Sequence, residues 1–266
     1  MQSIVFGEVI ESRHPDYAVG TLVNARTAWE EMSLLDGSDL CSPLVAADDL
    51  ALSEYMSTLG PTGMTAWLGL NHIGQPKQGD VVVVSAAGGA VGTIVGQLAK
   101  AAGCRTIGLV SSAEKAQWLT ETVGYDLAIS REAQPDLARA LAEAAPSGVD
   151  LFFDNVGGSV LNTVMQQLQE GARLVLCGAI SQYEAEVEPV THTWELITKR
   201  ARMEGFMFSD YTDEFPAVIE ALERLLRSGE LKTFDQCYRG IEQTPTAFCD
   251  MMGGVSRGKC LVLLEG

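Results

Sequence analysis

At 266 residues, 47% hydrophobic and 20% charged, the chain has the composition of an ordinary globular protein, and its length suits two modest domains better than one large one. It contains no run of roughly 20 apolar residues able to span a bilayer, and its N-terminus lacks the basic-then-apolar pattern of a secretory leader, so the cytoplasm is the expected address. A formal charge of −17 repels nucleic acid and anionic lipid, argues against both as partners, and gives weight to every cation near a phosphate-binding turn.

In chain order, residues 1–60 carry short alternating segments, FGEVIES and TLVNA, separated by turn material, which predicts an antiparallel β-region. From 81 to about 208 the pattern changes to βα alternation. The unbroken valines Val81–Val84 predict a strand buried on both faces, followed by a helix over 90–101 that ends at Gly103. A strand over 106–110, a helix from about Ser112 to the Gly124 stop, a strand over 127–129 and a helix over 135–145 follow. Next come a strand over 150–154, a helix over 160–169 stopped at Gly171, a strand over 173–177, a helix over 194–200 and a sixth strand over 203–208. Six strands with helical crossovers make a complete doubly wound parallel sheet, an α/β Rossmann fold. After a helix over 215–228, segments 234–238 and 260–264 read as a return to the opening β-region. The expected domains are therefore 1–60 and 233–266, mostly β, with a Rossmann unit over 61–232 inserted between them.

The turn after the first parallel strand has the form A-x-G-x-x-G, with Ala87, Gly89, Ala90, Val91 and Gly92 at the strand-to-helix corner. There Gly89 admits a pyrophosphate against the backbone, Gly92 lets helix pack on strand, and the helix start offers free amides. An NAD site places a carboxylate about 20 residues further on, at the next strand end. The sequence has Ser111 and Ser112 there, then Lys115, a set that receives a 2′-phosphate through hydroxyls and a cation, so NADP(H) is the expected cofactor. The plainer reading of Lys115 is a solvated helix residue paired with a neighbouring acid. Two further segments fall at C-terminal strand ends, where the cofactor crevice lies. They are DNVGG, with Asn155, and CGAISQY, with Cys177, Gly178, Ala179, Ile180 and Tyr183. Taken on its own, Tyr183 reads first as a surface or core tyrosine and second as a phenolic donor. The cysteines at 41, 104, 177, 237, 249 and 260 form no C-x-x-C, and His14, His72 and His192 are scattered, so no metal is expected.

Together VVVVSAAGGAVGTIVGQLAK, LFFDNVGG, LVLCGAISQY, KRARMEGFMFSDY and GKCLVLL resemble the medium-chain dehydrogenase/reductase superfamily, in its zinc-free branch of prostaglandin/leukotriene, plant double-bond and curcumin-type reductases. The resemblance implies a GroES-like catalytic domain with a Rossmann domain inserted, a homodimer, and NADPH-driven reduction of the carbon–carbon double bond of enones and enals. It also implies that Tyr183 acts near the substrate carbonyl and that Lys115 holds the 2′-phosphate. Asn155, Cys177, Gly178, Ala179, Ile180, Phe206, Met207 and Phe208 correspond to nucleotide-site positions. Quinone reduction on the same scaffold, and a non-catalytic NADPH-binding scaffold, are the alternatives. Three positions depart from the pattern: Arg131 stands where a tyrosine near the adenosine is common, Thr198 replaces a tyrosine of some relatives, and Ser256 replaces the asparagine of G-x-N-x-G-K. FGEVIESRHPDYAVGTLV corresponds to the middle of the family's catalytic domain, so the expectation is a partial domain with exposed strand edges and reduced stability and activity.

Overall fold

The computed structural model describes residues 1–37, 41–183 and 186–264. The chain opens on an antiparallel sheet of β1 (Gln2–Glu8), β2 (Leu22–Ala28) and β3 (Cys41–Pro43), paired in that order, as the alternating segments predict. Two short helices, α1 (Leu52–Met56) and α2 (Pro61–Leu68), lead out of it. Next come β4 (Val81–Val84), α3 (Ala90–Ala101), β5 (Arg105–Val110), α4 (Ala113–Trp118), β6 (Leu127–Ser130) and α5 (Leu137–Ala144). The second half of the unit is β7 (Val149–Asp154), α6 (Gly158–Met165), β8 (Leu168–Leu176), α7 (Thr193–Thr198) and β9 (Arg202–Gly205). These strands form one parallel sheet in the order β6-β5-β4-β7-β8-β9, the doubly wound order with its switch point between β4 and β7. Helix α8 (Phe215–Ser228), strand β10 (Asp235–Arg239), helix α9 (Thr244–Met252) and strand β11 (Lys259–Leu263) complete the chain.

The valine run explains the sheet's centre. Alternate side chains of a strand point to opposite faces, so Val82 and Val84 join a core with Ile94 and Val95 of α3 and Leu222 of α8, while Val83 packs with Phe152, Val160 and Val164 on the other face. Strand β7 does the same: Leu151 and Phe153 face the first core, Phe152 the second, and all three are fully buried. Each such side chain contributes about 1.5–3 kcal/mol by leaving water, so the middle strands hold the switch point rigidly in place.

Four expectations change. The helix predicted to reach residue 169 ends at Met165, and β8 begins at Leu168, earlier than predicted. Gly171, read as a helix stop, sits inside β8 at φ +76°, where the register against β7 shifts between Val149 and Leu151; a positive φ serves a strand bulge as well as a helix end. Strand β9 stops at Gly205, so Phe206, Met207 and Phe208 lie beyond it. A Cβ on Gly69 would meet the Phe206 ring at 2.5 Å, and Phe208 stacks on Phe215, so both rings serve packing. Finally, β10 and β11 pair in parallel, not antiparallel, because α9 intervenes as a crossover. Its start signal, Pro245 in the first turn, is present in the sequence.

Candidate functional site

At the C-terminal end of β4 the chain turns on Ala86, which adopts φ +46°, a conformation that costs a non-glycine residue of order 1 kcal/mol and persists where the surroundings enforce it. The Ala87 amide donates to the Leu109 carbonyl of β5 at 3.1 Å, and the Gly89 amide closes the turn onto Ala86 at 2.9 Å. A Cβ on Gly92 would stand 2.6 Å from the Ala86 carbonyl and Ala87 Cα, so only glycine lets α3 begin this close to the turn. A Cβ on Gly89 meets nothing but the Ala86 oxygen, at 3.2 Å. The rest of its surroundings is a cavity of about 500 Å³, within the range of ligand pockets. Gly89, Ala90, Val91 and Gly92 line this cavity, whereas Ala87 is fully buried beneath it.

One end of the cavity is built by the end of β5. Ser112 caps α4, its Oγ accepting from the Lys115 amide at 3.3 Å, and no carboxylate occupies the strand end. Lys115, 8% exposed, turns inward and donates from Nζ to the Gly254 carbonyl at 2.6 Å; the Ser111 hydroxyl reaches the same oxygen at 3.3 Å. Burial, and then the charge of Arg257, hold the Lys115 ammonium below its ordinary pKa. This removes the plainer reading of Lys115 as a solvated, acid-paired lysine. Arg131 also lines this end.

The other end lies at β7 and β8. Asp154 is fully buried, and its carboxylate accepts from the Ser85 hydroxyl at 2.7 Å, the Val156 amide at 3.0 Å and the Gly157 amide at 3.0 Å. Burial pushes the carboxyl up, and these donors pull it part of the way back. Asn155 is tied to the same serine: its amide donates to Ser85 Oγ and its Nδ2 to the Ser85 carbonyl, both at 2.8 Å. The segment after β8 zips onto this turn. The Cys177 and Gly178 amides donate to the Asp154 carbonyl, that of Ile180 to Asn155, and that of Ser181 to Val156. Burial, then the Asp154 charge, push the Cys177 thiol up to about 12, so it stays protonated at neutral pH. Asn155 and Ile180 line the cavity; Cys177, Gly178 and Ala179 form its support rather than its wall. Tyr183 follows three residues after Ile180, is 65% exposed and lies outside the lining. Phe206, Met207 and Phe208 are likewise outside it.

The third wall comes from the C-terminal segment. The Gly258 amide donates to the Gly88 carbonyl at 2.8 Å, and Gly258 bridges to Gly89, so the segment from Gly253 to Cys260 lies along the glycine turn. Ser256 is in that wall, and Gly253, Gly254, Lys259 and Cys260, outside the sequence-based set, are there too. The G-x-N-x-G-K likeness over 254–259 carries the signal for Gly254 and Lys259; Gly253 and Cys260 flank it.

The comparisons agree with this geometry. Residues 90–224 match the family described as "Zinc-binding dehydrogenase". A 2-alkenal reductase (NADP(+)-dependent) of Nicotiana tabacum is 38% identical over 97% of this chain and 75% of its own length. Prostaglandin reductase 1 of Oryctolagus cuniculus is 39% identical over 94% of this chain and 73% of its own. The chain belongs to the zinc-independent medium-chain dehydrogenase/reductase family. Among solved structures, CurA from Vibrio vulnificus in complex with NADPH superposes with a TM-score of 0.92 at 36% identity, covering all of this medium-chain reductase and 80% of that chain. Although the family description names zinc, no group of three or more His, Cys, Asp or Glu side chains among the described residues is placed to hold a metal ion.

Proposed function

We propose that this medium-chain reductase uses NADPH to reduce the carbon–carbon double bond of α,β-unsaturated ketones and aldehydes. The observation that carries the reading is the cavity at the glycine turn, whose far end offers the Ser111 hydroxyl and the inward-facing Lys115 where an NAD site would hold a carboxylate. The NADP-dependent alkenal reductase and the NADPH complex among its relatives support it. In this reading Ser111 and Lys115 hold the 2′-phosphate, Arg131 lies along the adenosine, and the amides around Gly89, Ala90 and Val91 take the pyrophosphate. Bound NADPH would supply a hydride to the β-carbon of the substrate, and a solvent proton taken up at the α-carbon would complete the reduction. The Tyr183 hydroxyl would donate a hydrogen bond to the carbonyl oxygen, where charge gathers before that protonation. Asp154 fixes Ser85 and the 155–157 turn, which orients Asn155 at the nicotinamide end.

The same proposal takes residues 61–232 as the cofactor-binding unit, flanked by 1–60 and 233–266, in a cytoplasmic homodimer. Support for self-association comes from β9, an outer strand of the parallel sheet, and from Trp194 and Ile197 on the preceding helix, each about two-thirds exposed. Light scattering on a sizing column is expected to report twice the chain mass.

The test of activity is oxidation of NADPH by the purified chain with 3-nonen-2-one against a benzoquinone. Turnover is expected with the enone; turnover with the quinone alone, or cofactor binding with neither acceptor reduced, would overturn the reading. Tyr183→Phe is expected to lower enone kcat by about tenfold or more while NADPH affinity is unchanged, and full retention of kcat removes Tyr183 from the mechanism.

A further inference from the structure

Beyond the cofactor cavity lies a second, more open one of about 700 Å³. It shares Ser111, Lys115, Gly253 and Gly254 with the first, so the two meet where the 2′-phosphate is assigned. Its wall carries a second cation, Arg257. Resting on that assignment, we propose that Arg257 is a specificity-determining residue of the 2′-phosphate site, held aside by Glu114 and transferred to the phosphate when NADPH binds.

Several features converge on this residue. Its backbone is fixed: the Arg257 amide donates to Gln236 Oε1 at 2.9 Å, and the next residue, Gly258, is bonded to the glycine turn. Its guanidinium rests 5.6 Å from the centre of the Trp118 ring and pairs with Glu114, the latter 81% exposed. An ion pair to so exposed a carboxylate is weak and readily exchanged, whereas a guanidinium fork matches a phosphate's oxygens closely. The charge pattern around the cavity suits a dianion. Lys115 and Arg257 share one wall, and Arg257 disfavours the Lys115 ammonium, in a chain whose net charge is −17. A dianion bound beside both cations would offset their mutual repulsion. The charged groups facing the cavity are Lys115, Arg257, Glu114 and Glu132. The two carboxylates would repel a phosphate in the absence of both cations, so neutralising Glu114 is a sensitive probe.

The experiment is fluorescence titration of the full chain with NADPH and NADH, with 2′,5′-ADP and 5′-AMP as competitors. Arg257→Gln is expected to weaken NADPH and 2′,5′-ADP by about tenfold, leaving NADH and 5′-AMP within twofold. Glu114→Gln is expected to tighten NADPH severalfold in the wild-type background, and by less when Arg257→Gln is already present, since the carboxylate then has no guanidinium to withhold. Equal losses for NADPH and NADH in Arg257→Gln, or no loss for either, overturn the proposal. If Arg257→Gln does not fold, an unchanged NADPH affinity in Glu114→Gln overturns it instead. The underlying assignment fails separately: a wild-type chain that binds NADPH and NADH equally sinks it. A Lys115→Ala variant that keeps its NADPH preference while Arg257→Gln loses it removes Lys115 from the site and leaves Arg257 there.

Discussion

Lys115 and Asp154 are the two charged side chains the fold has drawn furthest out of water beside the cofactor cavity, and each makes a distinct prediction. Lys115→Ala is expected to weaken NADPH about tenfold or more, the worth of a charge-assisted hydrogen bond, with NADH changed by less than twofold; paired steady-state KM values check it. The preference is also pH-dependent. Because burial holds the Lys115 pKa below its ordinary value, the ratio of NADPH to NADH affinity falls as pH rises through that lowered value, and Lys115→Arg abolishes the fall. Stability follows the opposite slope: the unfolded lysine binds its proton more tightly than the folded one, so the free protein gains from Lys115 as pH rises through the same window. At Asp154, removal of the carboxylate leaves the Ser85 hydroxyl and the Val156 and Gly157 amides without their acceptor in a fully buried place. Asp154→Ala is expected to cost about 2–4 kcal/mol, a drop in Tm on the order of 5–10 °C by calorimetry. An unchanged Tm would mean that the 155–157 turn is held by other contacts.

Among elements, the ones that local chemistry specifies were legible in full. The valines of β4, the Gly103 stop after α3 and the helix over 215–228 all fall where the sequence puts them. Illegible were the elements whose boundaries depend on distant partners. Strand β8 starts at Leu168 because Leu168 pairs with Val149 of β7, and nothing within 165–172 itself announces that. The same holds within the site. The glycine turn and the carboxylate-free strand end are local patterns, but the bond from Lys115 to Gly254 joins residues 139 apart in sequence, and with it came the whole third wall. Gly258 tests how much that wall matters. It sits at φ +66°, and a Cβ there would lie 1.9 Å from the Phe234 carbonyl, so Gly258→Ala must shift β11 or the turn it touches. The expected result is a loss of at least about 2 kcal/mol of stability by denaturant melt. NADPH affinity should also fall more than stability alone explains, since the Gly88 carbonyl loses its donor. A variant that is destabilised but binds NADPH normally would confine the C-terminal wall to a packing role.

For the molecule as a whole, net charge and site charge oppose each other. A chain of −17 must admit a polyanionic cofactor, so the long-range field slows approach while Lys115, Arg131 and Arg257 attract only at short range. Salt separates the two. At an ionic strength of about 0.15 M the Debye length is about 8 Å, which screens the diffuse surface charge far more than the half-buried contact at Lys115. Stopped-flow measurement of NADPH association is therefore expected to show a rate constant that rises about two- to fivefold between low salt and about 0.3 M, against the usual fall for a charged ligand entering an oppositely charged cleft. The dissociation rate should rise less for NADH than for NADPH, because only NADPH adds a 2′-phosphate whose contacts with side-chain cations salt weakens. If association slows with salt instead, the cations around the 2′-phosphate end govern the field at the cavity mouth, and the acidic surface is too distant or too evenly spread to be felt there.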